Sequence, residues 1–306
     1  MKCLSLFAPF AGFLVCANLS LTYNTDRHKK QRGWDMKGQT FLILLLAILT
    51  IGVMIAAKDP GQEQIMVTIG EGDSKLQLPI EEYMLGVMAA VADPEYDSEC
   101  LKALAILIRG NLERKREEGE ELIGEEPYFD FAARRRIYGE NQQLYEARIL
   151  EAIEATSGLV AVSENRILEG HYHALSAGVT KASEDGKSVI CEKSMEATDF
   201  FLRKEVEKEE VGEVSVLKKD PAGYIEEITL KGNVVSGEYF REYLFLPSFN
   251  LDIEEREETY FITARGKGHG MGMDLYYANE LAKQGLGYHE ILEYFFKDFI
   301  LKKIIV

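Results

Sequence analysis

The spacing of apolar positions changes several times along the chain, and each change marks an element. FLILLLAILTIGVMIAA (41–57) has no period at all: it is almost uniformly apolar over about the length that crosses a bilayer. In LPIEEYMLGVMAAVADPE (78–95), Ile80, Tyr83, Met84, Val87, Met88 and Val91 recur at three- and four-residue intervals, which predicts a helix closed by Asp93-Pro94. Asp97 or Ser98 then caps a second helix with Leu101, Leu104, Ala105 and Ile108 along one face, ending in the solvated run ERKREEGEE. A third runs from about Gln142 to Ser157 and stops at Gly158.

Beta periodicity follows. LVAVS, the turn ENR and ILEGHYHAL predict a hairpin that places His171 and His173 on one face. Strands near Val211–Leu217 and Tyr224–Leu230 flank the turn KKDPAGY, and TYFITARG predicts another. In RGKGHGMGM (265–273) a glycine stands at every second position, which reads as a strand with one bare face and with Lys267, His269, Met271 and Met273 on the other. The third glycine of a G-x-G-x-x-G fingerprint is missing, because residue 271 is methionine, so a nucleotide cradle is not expected. A helix from Asp274 to Gln284 stopped by Gly285, another over Tyr288–Phe296 and a last apolar strand complete the chain. Helices and strands segregate rather than alternate. The expectation is an α+β fold, a mixed helix/strand extracytoplasmic domain behind an N-terminal membrane anchor.

Charge sharpens that division. Residues 1–57 hold six Lys/Arg and two Asp/Glu, a net +4, so the remaining 249 residues carry −20 of the total −16. So acidic a domain disfavours nucleic acid and anionic lipid and suits an uncharged or zwitterionic partner such as a saccharide. Arg27, Lys29, Lys30, Arg32 and Lys37 precede the apolar run, so the positive-inside rule places residues 58–306 outside the membrane. A second apolar stretch (3–23) is either another span or sequence upstream of the true start; Met36-Lys37 ahead of the run reads as an ordinary start with an uncleaved signal anchor. The organisation is then a leader (1–35), an anchor (36–58), a linker and lead-in (59–75) and a domain (76–306). Four cysteines give neither a C-x-x-C pair nor a disulfide framework, and Cys100 beside Leu101 reads as a buried thiol.

Four stretches, in order, carry a resemblance: LPIEEYMLGVMAA (78–90), YHALSAGVTKASED (172–185), LPSFNLDI (246–253) and GKGHGMGMDLYYANELAKQG (266–285). Together they resemble the stage II sporulation protein D (SpoIID/LytB) family over roughly residues 76–306. The resemblance implies a membrane-anchored lytic transglycosylase that trims peptidoglycan glycan strands during forespore engulfment, beside a peptidoglycan amidase and other membrane proteins of the engulfment machinery. It implies a glycan groove lined by Arg109, His173, Ser176, Gly178, Gly266, Gly268, His269, Gly270, Gly272 and Tyr276.

The departures are as informative. The family's helix runs into A-A-E, whose glutamate is the acid/base; here the chain reads Ala89-Ala90-Val91. The family's glutamine in the next helix is Leu104, and the arginine of its L-R-S-T is Pro247. Glycoside cleavage needs a carboxylic acid at the departing oxygen, and valine has no proton to give. Asp93, Glu95 or Asp274 would have to stand in for it. The expectation is therefore a glycan-binding or amidase-assisting scaffold that has lost cleavage; the alternative is an active transglycosylase with a relocated acid. A membrane-anchored interaction domain without glycan affinity is the third reading. His171 and His173, with Cys191 or His269, form too thin a set for zinc, which takes about four ligands. No cofactor is expected.

Overall fold

The computed structural model describes residues 65–70 and 75–304. The leader, the apolar run at 41–57 and the start at Met36 lie outside those residues, and no helix among the described residues is long and apolar enough to cross a membrane.

The chain enters as a two-stranded antiparallel ribbon, β1 (Met66–Ile69) against β2 (Leu76–Pro79). β1 falls inside the stretch read as linker and lead-in, yet Val67 is fully buried. The predicted helix is α1 (Ile80–Val91). It ends because Ala92 turns to extended backbone while its N–H still reaches Met88, one residue before Asp93-Pro94. α2 (Ser98–Glu117) is capped by Asp97, whose side chain accepts from the Glu99 N–H. A short helix that the pattern did not reveal, α3 (Phe131–Tyr138), precedes α4 (Gln142–Ala155). These helices and two later ones, α7 (Leu275–Lys283) and α8 (Tyr288–Phe295), share one apolar core with Met84, Met88, Leu101, Leu104 and Phe295 at its centre.

The hairpin is present but shorter than predicted. β3 (Leu159–Ser163) turns through Glu164 and Asn165, both at positive φ, into β4 (Arg166–Ile167), and β13 (Ile300–Lys303) pairs on its other side. His171 and His173 are not on that hairpin. His171 precedes and His173 ends β5 (Tyr172–His173), which pairs in parallel with β12 (Met273–Asp274).

Between these lies a second core. β6 (Phe201–Glu207), β11 (Thr259–Arg265) and β10 (Leu251–Glu255) form an antiparallel sheet with β11 central. A short helix, α5 (Lys208–Val211), leads to β7 (Val216–Lys219), β8 (Ile225–Leu230) and β9 (Asn233–Ser236), with α6 (Gly237–Tyr243) packed on β8. Val206, Ile228, Phe240 and Ile262 fill the space between them. The stretch Val211–Leu217, read as a strand, is split: Val211 closes α5, and only Val216 onward is extended. The described residues are a mixed α and β domain.

Candidate functional site

The glycine run is not a strand. Gly266, Gly268, Gly270 and Gly272 all have positive φ (74°, 104°, 79° and 68°). The period of two comes from left-handed backbone at alternate residues, which only glycine adopts at little cost. Nor does the bare side face open space. A Cβ on Gly266 would stand 2.6 Å from the Leu175 carbonyl and one on Gly268 2.8 Å from the His173 Cβ, while Gly270 abuts the Tyr224 ring and Gly272 the His171 carbonyl. The loop is thus laid against residues 171–176, held by Leu175 N–H to the Lys267 carbonyl (3.1 Å) and Lys267 N–H back to Leu175 (2.7 Å). The bare backbone is used by a neighbouring chain segment.

What the loop presents is a group of imidazoles. The His269 ring lies 5.9 Å from His171 and 5.7 Å from His173, centre to centre. His173 Nδ1 is 2.9 Å from the Met271 carbonyl, which can only accept, so Nδ1 carries the proton and Nε2 is a lone pair. That Nε2 is buried and has no partner. His269 uses the opposite tautomer, because its Nδ1 accepts from the Met271 N–H at 3.1 Å. Burial, then the charges His173, His171 and Arg241 would place beside it, press the His269 pKa down to about 3. Burial likewise lowers that of His173, against the pull of Asp274. Both rings are neutral at ordinary pH: hydrogen-bonding groups, not cations.

Asp274 is structural. Its Oδ1 caps α7 by accepting from Tyr277 N–H (3.1 Å); its Oδ2 accepts from Ser176 N–H (2.9 Å) and Ser194 Oγ–H (2.6 Å), and no surface is exposed. Ser176 is buried with it, its Oγ accepting from the Gly178 N–H. Gly178, at φ 94°, has its carbonyl held by the Cys191 N–H. Cys191 is buried, and burial pushes its thiol pKa up. So His171 and His173 meet His269 and not Cys191. Among the described residues no three His, Cys, Asp or Glu side chains converge in a metal-binding arrangement. Tyr276 is half-buried against Leu175, Ala197 and Phe200.

Arg109 lies elsewhere. Its guanidinium donates to the carbonyls of Thr156 (2.7 Å), Ile153 (2.9 Å) and Leu159 (3.4 Å), satisfying the end of α4, beside Ile80 and Glu81 at the opposite end of α1 from Val91. With 4% of its surface exposed it is a packing cation. It is not part of the histidine group.

At the far end of α1, Val91 is half-buried and packs on the helical core. Asp93 and Glu95 are exposed; Asp93 Oδ1 accepts from the Glu95 N–H (2.9 Å) and Glu95 Oε1 from the Tyr145 hydroxyl (2.6 Å). Leu104 has no exposed surface, and Pro247 offers its carbonyl to the Gly268 N–H (2.8 Å). Asn279 of α7 accepts from the Asp97 N–H (2.8 Å), fixing the turn after Val91 to the helix that Asp274 caps. Sequence reasoning missed Asn279, Ser194, Tyr224 (whose hydroxyl accepts from Ala177 N–H) and the ion pair of Lys267 with Asp199. Lys267 and Asn279 both stood in the stretch 266–285, and Tyr224 closed the turn KKDPAGY, but nothing in those patterns marked their partners. Their partners come from segments far apart in the chain.

The family model for the stage II sporulation protein matches residues 71–162. The chain is 24% identical over 251 residues to stage II sporulation protein D of Bacillus subtilis, covering 72% of this chain and 73% of that one. The same protein of Bacillus amyloliquefaciens is 24% identical over 253 residues, with the same shares covered. An uncharacterized protein of Brachyspira hyodysenteriae is 22% identical over 245 residues, covering 72% of this chain and 66% of that one. The matched segment holds α1 and α2, the helices on which the sequence departs at Val91 and Leu104, and the family model and the two Bacillus relatives together support membership of the stage II sporulation protein D family.

Proposed function

We propose that this sporulation-family protein is anchored in the cell membrane by a single span, faces outward, and engages peptidoglycan glycan strands during engulfment without cutting them. It holds the glycan for a partner amidase. The observation that carries this reading is the side chain at the end of α1, where the family resemblance calls for an acid and the chain has Val91. Asp274 cannot take over, because both of its oxygens are committed and it is closed to solvent. The neutral, half-buried imidazole of His269 supplies a hydrogen-bonding edge to a neutral ligand, and the acidic balance of the domain disfavours polyanions.

One observation favours the alternative of a relocated acid. Asp93 lies two residues beyond Val91 and is exposed, with one carboxylate oxygen engaged by the Glu95 N–H. A carboxyl displaced by about 1 Å loses about a hundredfold in rate, so such an enzyme would be slow.

The test is co-sedimentation of the full chain with purified peptidoglycan, with and without a purified sporulation amidase. The proposal expects saturable pelleting and faster stem-peptide release by the amidase. A wild-type chain that stays in the supernatant overturns it. Protease added to intact protoplasts should digest residues 58–306; full protection overturns the outward placement.

A further inference from the structure

We propose that Phe245 is a stacking platform for one pyranose ring of the glycan strand, on the rim of the His269 loop; this rests on the glycan-binding reading above.

Phe245 occupies a position built for glycine. After α6, the Phe245 N–H donates to the Glu242 carbonyl (3.1 Å) and the Leu246 N–H to the Arg241 carbonyl (2.8 Å). That is the pair of bonds that ends a helix through one left-handed residue, where glycine is preferred. Phe245 has φ 52°. The other non-glycine residues with positive φ among those described are Glu164, Asn165 and Lys231, all polar turn residues. A bulky apolar side chain there is a true outlier, and such strain gathers at ligand-binding positions.

The ring does nothing for the fold in return. It is 88% exposed, whereas its neighbours Leu244 and Leu246 are buried. Folding alone would be served better by glycine on both counts, backbone and solvation.

Its place points to the occupant. Two residues on, the Pro247 carbonyl accepts from the Gly268 N–H, and Ser248 bridges to Gly268. Residue 245 is therefore two positions from a backbone hydrogen bond to the loop that carries His269. On the same turn Arg241 has a buried Nε without a partner. An exposed aromatic face on the turn that carries Arg241 and meets the His269 loop suits the C–H face of a neutral sugar ring, which has an apolar face and a polar rim.

The experiment compares the full-length wild type with Phe245→Gly and Phe245→Trp for melting and for binding to glycan strands stripped of stem peptides. Phe245→Gly should raise Tm by roughly 2–4 °C by relieving the backbone and weaken binding roughly five- to tenfold. Phe245→Trp should stay within about twofold of wild type in binding, because it keeps the aromatic face. Wild-type binding with Phe245→Gly equal to it overturns this proposal alone. Failure of the wild type to bind stripped strands removes the glycan reading and this proposal with it.

Discussion

The end of α1 and the loop 266–272 face the same question with opposite answers. At the end of α1 the side chain is Val91, and the nearest carboxylates in sequence, Asp93 and Glu95, are tied to their own turn and to Tyr145. At the loop, the neutral imidazoles of His269 and of the adjoining His173 are held in opposite tautomers by the two backbone groups of Met271, and His173 Nε2 is buried without a partner. One region is ordinary packing; the other holds a costly arrangement of four left-handed glycines and a buried, unpartnered nitrogen. Losing an acid takes one substitution and spares the fold. Losing the loop would cost the fold, because its glycines are also what lets residues 171–176 close against it. On the proposed reading, recognition outlasts chemistry.

The comparison breaks first at the glycines. Gly272→Ala puts a methyl into the His171 carbonyl at φ 68°, and should cost about 3–5 kcal/mol from left-handed strain plus overpacking. Gly285→Ala, at φ 97° with nothing within 4 Å, should cost about 1–2 kcal/mol from the backbone alone. Urea denaturation checks both. Equal costs would mean that the loop is not packed as described.

Polar reversion at the α1–α2 pair comes next. Leu104→Gln restores the residue of the family resemblance, but Leu104 is fully buried. It should cost about 3 kcal/mol or more, read by the same denaturation, and should yield no new cleavage. Val91→Glu, at a half-buried position, should cost about 1–3 kcal/mol. It should leave anhydro-muropeptide release at background, since a new acid at the helix end has no partners to orient it. Substantial release from Val91→Glu alone would show that the rest of the site was still built for chemistry.

The smallest effect is on pH dependence. His269 is neutral in the fold down to about pH 3 and titrates near 6.5 when unfolded. Between those values the unfolded chain binds the extra proton. Stability should therefore be flat with respect to this group above pH 6.5 and fall on acidification below it, by at most about 1.4 kcal/mol per pH unit. His269→Gln should reduce that slope. An unchanged slope would mean that His269 is solvated and not pressed against His171 and His173.

Much of the helical half was legible because its signals are local. The stripe from Ile80 to Val91 closes at Asp93-Pro94, and the helix spans those residues; Asp97 and Asp274 cap where their side chains allowed. The hairpin turn at Glu164-Asn165 was legible for the same reason. The sheet was not, because β6 pairs with β11 across more than fifty residues, and its exposed Phe201, Leu202 and Arg203 show no alternation. The glycine run misled because alternate glycines mark either a bare strand face or alternate positive φ, and residues alone do not separate the two. Arg109, placed in the groove by resemblance, is drawn instead to the carbonyls ending α4, a demand that only the tertiary fold creates. The turn at Phe245 gave no signal, since nothing local distinguishes a phenylalanine forced to φ 52°.

The central claim is that this site binds without cutting. It is tested most directly by incubating the full-length wild-type chain with purified peptidoglycan and analysing bound protein and released muropeptides together by mass spectrometry. The account predicts saturable binding with anhydro-muropeptides at the level of a no-protein control. Robust release of anhydro-muropeptides by the wild type, abolished by Asp93→Ala or Glu95→Ala in a chain that still binds, would contradict it and identify the substitute acid.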